Sequence, residues 1–518
     1  MQYLSKQILA TFVLLISLSN MHLRADVTPS SMFGNNMILQ RDMQVPVWGK
    51  AAPGEKITVH FAGQQKSAIA DKSGKWIVRL DPLKASNKGL PLTISGKNKI
   101  EYKDVLVGEV WLCSGQSNME LGVGAVKPLK KLINTAKKKP IHTFRVTTNI
   151  AFEPQDEIKG SWSSEPPTSA VAFGFSYFLQ KSIDVPVGII LTCWGSSSIE
   201  GWMPLDMTEQ LPHFKKIMAK FQADKDQQEL CKMIIDQFNK NGKIQKYSDD
   251  PEKDKKLAKK YRSANIYART RPNMLYNAML HPIAPYALRG MVWYQGEANG
   301  KSIQSELQYA ESLQLWVKRL RKLWKSDNLH FLAVMLPGFG RIMNRKNKDL
   351  NYPGNITWAW LRESQMKVLN LPNTGVANTI DLGEKKNIHP KDKEPLCKRL
   401  ALLAERDVYG KKIVAAGPIF ESFKIDGNKM IIKLKNSKGL KTKDGKAPEG
   451  FWLAGKKRLW HKATAVIKGD SVVLVSDKVD EPVACRYAFA AMPTVNLVNS
   501  DGLPAYPFRT DDWKPMAK

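Results

Sequence analysis

Residues 105–120 read VLVGEVWLCSGQSNME. The first nine are apolar apart from Glu109 and rich in valine, as a strand buried on both faces of a sheet should be. The chain then turns through Ser114-Gly115-Gln116 into a small polar knot, where a helix is expected to begin. A serine at a strand-to-helix turn projects its hydroxyl above the sheet edge. The helix start behind it offers backbone N–H groups and a positive partial charge to a developing oxyanion. Ligands of open α/β sheets bind there, beyond the strand carboxyl ends. Ser117 is the candidate nucleophile, because it follows the turn, whereas Ser114 precedes it. The competing reading is a helix N-cap, a position at which serine is common.

Working outward, strands alternate with helical patterns, which predicts a parallel sheet with crossovers. VPVGIILTC (185–193), ALRGMVWY (287–294), LHFLAVML (329–336) and TGVANTIDL (374–382) read as further strands. Residues 305–324 and 393–410 carry apolar positions at helical spacing, the second ending at Gly410. The charged, helix-prone stretch 205–271 has no clear strand and reads as an insertion, either a lid or partner surface or a plain surface excursion. Upstream, residues 26–104 show short alternating runs broken by turn pairs, the texture of a small β-sandwich. Residues 411–518 return to β texture. The expected organisation is therefore an N-terminal β-sandwich (26–104), an α/β domain (105–410) and a C-terminal β domain (411–518).

Residues 1–25 combine a lysine, the apolar run Ile8–Leu18 and then small or polar residues. The run is short for a membrane span and reads as a secretory signal with cleavage near Ala25, the alternative being an uncleaved anchor. Secretion or a periplasmic location follows from that reading, with no transmembrane segment left after cleavage. The five cysteines (113, 193, 231, 397 and 485) are far apart and odd in number. No zinc site or disulfide framework is readable from them, and Cys113 and Cys193 are expected to be buried.

The formal net charge is +31. Its lysines are spread over separate runs such as 130–139, 253–262, 317–325 and 438–446, without a zinc-finger or RRM signature. A solvated lysine-rich surface is expected rather than a specific nucleic-acid site, and attraction of acidic polymers is the other reading.

Three further sheet-edge loops carry chemistry. Gly195 ends a strand where backbone can approach a ligand closely. In MVWYQGEAN (291–299), Gln295 can offer side-chain N–H groups to the same oxyanion. In IDLGEKKNIHPKDK (380–393), His389 sits in a loop after a strand and Pro390 fixes the chain beyond it. Each loop taken alone is an ordinary turn. Together they supply a nucleophile, a base and oxyanion donors.

On these segments, with MILQRDMQVPVWGKAAPGE, WAWLRESQ and NLVNSDGLPAYPFRTDDW, the chain resembles the sialate O-acetylesterase family of the SGNH-hydrolase superfamily from about residue 37 to 513. The resemblance implies a flavodoxin-like α/β/α catalytic domain flanked by β domains. It also implies metal-free, cofactor-free hydrolysis of O-acetyl esters on sugars. It matches Ser117 to the nucleophile, His389 to the base, and Gly195 and Gln295 to oxyanion positions. Trp194, Tyr294, Glu297 and Arg362 are the candidate substrate contacts; packing under the loops is the alternative for Trp194, and holding a carboxylate is the alternative for Arg362.

Two departures stand out. The acid often found two residues before the family's histidine is Asn387, and the superfamily's acid position is Lys386. A Ser–His dyad is therefore expected, with the third member open. The Gly-Gly-Thr type run after the tryptophan is replaced by Gly195-Ser196-Ser197-Ser198. The alternatives are an esterase for acetylated xylan or pectin and a non-catalytic glycan-binding protein with a decayed site. The oligomeric state is not legible in the sequence.

Overall fold

The computed structural model describes residues 26–241, 245–260, 268–340, 348–354 and 358–515. The expected signal segment lies outside them. Among the described residues, no helix is long and apolar enough to cross a membrane.

The central sheet is built from β1 (Lys99–Gly115), β2 (Ile141–Val146), β3 (Gly160–Ser163), β4 (Val187–Cys193), β5 (Gly290–Tyr294), β6 (His330–Val334) and β7 (Thr374–Ala377). Their spatial order is β3-β2-β4-β1-β5-β6-β7. All neighbours run parallel except the edge pair β2 and β3. From β1 the chain fills one side of the sheet and then crosses to the other. The carboxyl end of β1, between β4 and β5, is therefore the topological switch where such sheets bind ligands.

Helices cover both faces, which is why these strands are apolar on both sides. On one face Trp111 of β1 meets Phe175 of α2 (Ala170–Ile183) edge to face at 5.2 Å. On the other, Trp293 of β5 meets Trp316 of α3 (Ile303–Trp324) at 6.2 Å. The expected helix over 393–410 forms as α4 (Glu394–Asp407) and packs beside α2.

The boundary drawn at 104/105 falls inside one strand. The first half of β1 pairs antiparallel with Ser86–Ser95 of the N-terminal β domain, and its second half belongs to the central sheet. A single rigid element thus joins the two. At the crossing point Glu109 is wholly buried, held by Arg41 at 2.5 Å and Arg289 at 2.8 Å, so its charge is neutralised where water cannot reach it. The C-terminal β domain contains two four-stranded sheets and one two-stranded sheet. Strand β7 stops at Ala377, sooner than its sequence pattern suggests, because Asn378 turns away to donate to the carbonyls of Pro504 and Ala505.

The 205–271 stretch forms the helices Leu205–Gln210, Pro212–Ala223, Lys225–Asn241 and Pro251–Lys260. Its start is tied to α3 through Arg319–Asp206 at 2.9 Å and His213–Ser312 at 3.2 Å. All five cysteines are buried and free.

Candidate active site

The turn after β1 requires glycine. Gly115 has φ +140°, and a Cβ there would stand 2.1 Å from the Tyr294 carbonyl oxygen. Close approach lets three loops be stitched together. Gln116 N–H donates to Tyr294 O at 3.0 Å and Trp194 N–H donates to Gly115 O at 3.1 Å. The Gln116 side-chain oxygen accepts from the Gly296 and Ala298 N–H groups at 3.3 and 3.2 Å.

Ser117 opens the single helical turn α1 (Ser117–Glu120), and Gln116, not Ser117, holds the N-cap position. The capping alternative is thereby removed. One turn carries little macrodipole, so what the helix start contributes is chiefly the Ser117 N–H, which has no acceptor among the described residues. Ser117 Oγ lies 2.8 Å from His389 Nε2. Burial, and then the nearby Lys393 charge, hold the His389 imidazole below its usual value of 6.5. A neutral imidazole facing a hydroxyl at this distance is arranged to accept its proton.

The His389 loop is fixed from three sides. Asn387 Oδ1 accepts the His389 N–H at 3.0 Å, and Asn387 Nδ2 donates to His389 O at 2.7 Å and to Glu384 at 3.0 Å. Glu384 also accepts the Lys391 N–H at 2.6 Å. Asn118 Nδ2 donates to Ile388 O at 3.0 Å. No described residue bonds the His389 Nδ1. Asp381 is engaged elsewhere, paired through both oxygens with Arg399 at 2.7 and 2.8 Å.

Beneath the pair lies a buried charged layer. Lys393 is 2% exposed and donates to Asn118 Oδ1 at 2.6 Å and to Tyr294 OH at 3.3 Å. Burial lowers its ammonium pKa to about 8, with Glu297 pulling the other way. Burial raises the Glu297 carboxyl, while a 2.5 Å hydrogen bond from Asn118 opposes that rise. Tyr294 and Glu297, expected at the substrate, instead form the floor under the loops.

Three more expectations need correction. Gln295 is wholly buried, and its amide N–H groups go to Gln116, Ser197 O and Asn299 at 3.2, 3.2 and 2.8 Å. It braces the loops and has no donor left for an oxyanion. Arg362 is also wholly buried and donates to Pro337 O and Ala490 O, so it ties the α/β core to the C-terminal domain. Trp194 is 6% exposed and lies under the Arg269 guanidinium, 4.6 Å from its ring centroid. Gly195 does lie against Ser117, since a Cβ on it would come within 3.3 Å of Ser117 Cβ. Its N–H, however, donates to Glu120 Oε2 at 2.7 Å, and its carbonyl accepts from Arg269 at 2.5 Å.

Sequence reasoning missed Asn118, Glu120, Arg269 and Lys393. Asn118 and Glu120 lie inside the opening motif, and Lys393 follows His389 by four residues, so proximity to the motifs was an available signal. Arg269 closes the helical insertion, and nothing local in the sequence marks it.

A family model described as carbohydrate esterase, sialic acid-specific acetylesterase, matches residues 107–264 and 262–402. Mouse sialate O-acetylesterase is 25% identical over 526 residues, covering 92% of this chain and 93% of its own. The human protein of that name is 26% identical over 527 residues, covering 92% and 91%. The crystal structure of a carbohydrate acetylesterase from Xanthomonas citri superimposes with a TM-score of 0.78 at 31% identity, over 94% of this chain and 100% of that one. The chain belongs to the sialic acid-specific acetylesterase family of carbohydrate esterases.

Proposed function

We propose that the protein removes O-acetyl groups from sugars by a two-step serine mechanism, with Ser117 as nucleophile and His389 as base. The observation that carries this reading is the 2.8 Å contact between Ser117 Oγ and His389 Nε2. It also favours a working enzyme over a decayed glycan-binding site. Ser117 Oγ attacks the acetyl carbonyl carbon while His389 takes the hydroxyl proton. The sugar oxygen leaves with that proton, and the acetyl group stays on Ser117. Water, deprotonated by the same imidazole, then releases acetate and frees the serine. The Ser117 N–H faces the developing oxyanion first. The imidazolium is stabilised by solvent and by its fixed loop rather than by a buried acid, which fits a dyad.

The substrate, and acetyl donor, is an acetylated sugar, and we assign O-acetylated sialic acids as the leading substrate class on the names of the curated relatives. A net charge of +31 suits an acidic sugar or polymer. Export to the periplasm or outside the cell follows from the apolar run at residues 8–18. Acetate release from O-acetylated sialic acids, acetylxylan and acetylated pectin tests the assignment. The reading expects the sialic acids to give the highest kcat/KM and Ser117→Ala to abolish release from all three. Preference for acetylxylan would replace the substrate class, and turnover by the serine variant would remove the mechanism.

A further inference from the structure

The engagement of the Gly195 amide is the feature at the site that hydrolysis leaves unexplained. Its N–H points at Glu120 Oε2, 2.7 Å away. Glu120 follows Ser117 by three residues on the same helical turn, and its side chain is exposed. The Gly195 Cα carries its missing Cβ direction toward Ser117, so this amide is a neighbour of the reacting hydroxyl. A carboxylate oxygen on an amide N–H has the chemistry of an oxyanion in its hole: a negatively charged oxygen about 2.7–3.1 Å from a fixed donor. One N–H cannot serve both. The Ser117 N–H, in contrast, stands ready with no acceptor among the described residues. The peptide that carries this N–H is held at its other end, where the Trp194 carbonyl accepts from Ser197 Oγ at 2.8 Å, and the next carbonyl, Gly195 O, accepts from Arg269 at 2.5 Å.

We propose that Glu120 is an intramolecular stand-in for the oxyanion, occupying the Gly195 N–H in the free enzyme and competing with the transition state for it. The inference rests on the Ser117–His389 reading. During turnover the acetyl carbonyl oxygen takes the N–H and the carboxylate rotates about its own side-chain bonds into water. No covalent bond changes in that exchange. Glu120 is therefore a residue that restrains the reaction, and it selects for esters whose carbonyl displaces it.

The test uses the full chain. With p-nitrophenyl acetate, which carries no sugar, Glu120→Ala is expected to raise kcat/KM by about two- to fivefold, the scale of one exposed charged contact. Glu120→Gln keeps an acceptor but loses the charge and should fall between the two. Phenylboronic acid, whose boron accepts the serine oxygen to form a tetrahedral anion, should inhibit Glu120→Ala more tightly by a similar factor. Removal of a merely structural glutamate would slacken the site and weaken boronate binding, and Glu120→Gln, which removes the charge but keeps an acceptor, separates competition for the N–H from simple charge repulsion. Unchanged or lower kcat/KM in Glu120→Ala, or weaker boronate inhibition, overturns the proposal and makes Glu120 a support for the Gly195 peptide. Its failure is distinct from failure of the parent reading, which would show as turnover by Ser117→Ala whatever Glu120 does.

Discussion

Lys393 Nζ donates to Asn118 Oδ1 at 2.6 Å directly beneath the Ser117–His389 pair. Asn118 passes the restraint on, since its amide nitrogen holds Ile388 O, one residue before His389. The residue next to the proposed nucleophile thus sets the position of the loop that carries the proposed base. Asn118→Ala should lower kcat by about 10–100-fold with a smaller change in KM, because misplacement of a reacting group by a fraction of an ångström is felt in the rate. It should also cost about 2 kcal/mol of stability, since Lys393 and Glu297 lose a buried partner. Steady-state kinetics and urea unfolding check both parts.

Lys393 also sets a pH dependence. The base must be neutral, so activity falls as pH drops through the His389 pKa, which burial and Lys393 hold below 6.5. The acid limb of kcat/KM should accordingly lie below pH 6.5 in the wild type. Lys393→Met removes the second cause and leaves the first, so the limb should move upward. A limb that stays put or moves down in the variant would show that the ammonium does not reach the imidazole.

Asn387 invites a repair of the missing acid. The geometry predicts that Asn387→Asp will not supply a triad. The new carboxylate would lose the donor that bonds His389 O and Glu384, and would set two acids against each other 3.0 Å apart at the former Asn387–Glu384 contact. Activity should drop by about tenfold or more, and melting temperature should fall. A gain in kcat would mean that the loop rotates to bring an acid to the imidazole.

Gln295→Ala separates a brace from an oxyanion donor. With the Ser197 carbonyl losing its Gln295 donor and the Gln116 and Asn299 oxygens each losing one of several, the expected cost is about 1–3 kcal/mol of stability. The kcat of the folded fraction should change by less than about tenfold. A loss of about 10²–10³ in kcat with unchanged stability is the signature of an oxyanion donor and would contradict the placement.

The sheet was legible because parallel strands buried on both faces must be apolar runs, and β1, β4, β5 and β6 all announced themselves in that way. Ser117 and His389, the proposed nucleophile and base, could be picked out because each lies in a short polar loop directly after such a run. Element ends were less so. Lys99–Val107 joins β1 because it pairs with a distant strand in the N-terminal domain, and β7 is cut short by a bond from Asn378 to the C-terminal domain. Direction within the site was not legible at all. Gln295, Tyr294, Glu297 and Arg362 have the right chemistry for contact with substrate, yet their side chains face downward into the protein, and one-dimensional order carries no sign of that. Arg269 reaches Gly195 across 74 residues, a contact made only by folding the insertion back.

The central claim is that Ser117 carries the acetyl group between the two steps. The direct measurement is rapid quenching of the enzyme with p-nitrophenyl acetate, followed by mass spectrometry of its peptides. The account predicts an initial burst of product, a transient acetyl group on the peptide containing Ser117, and loss of both in Ser117→Ala together with a fall in kcat of at least about 10³-fold. An acetyl group found on another residue, or full turnover by the serine variant, would contradict it.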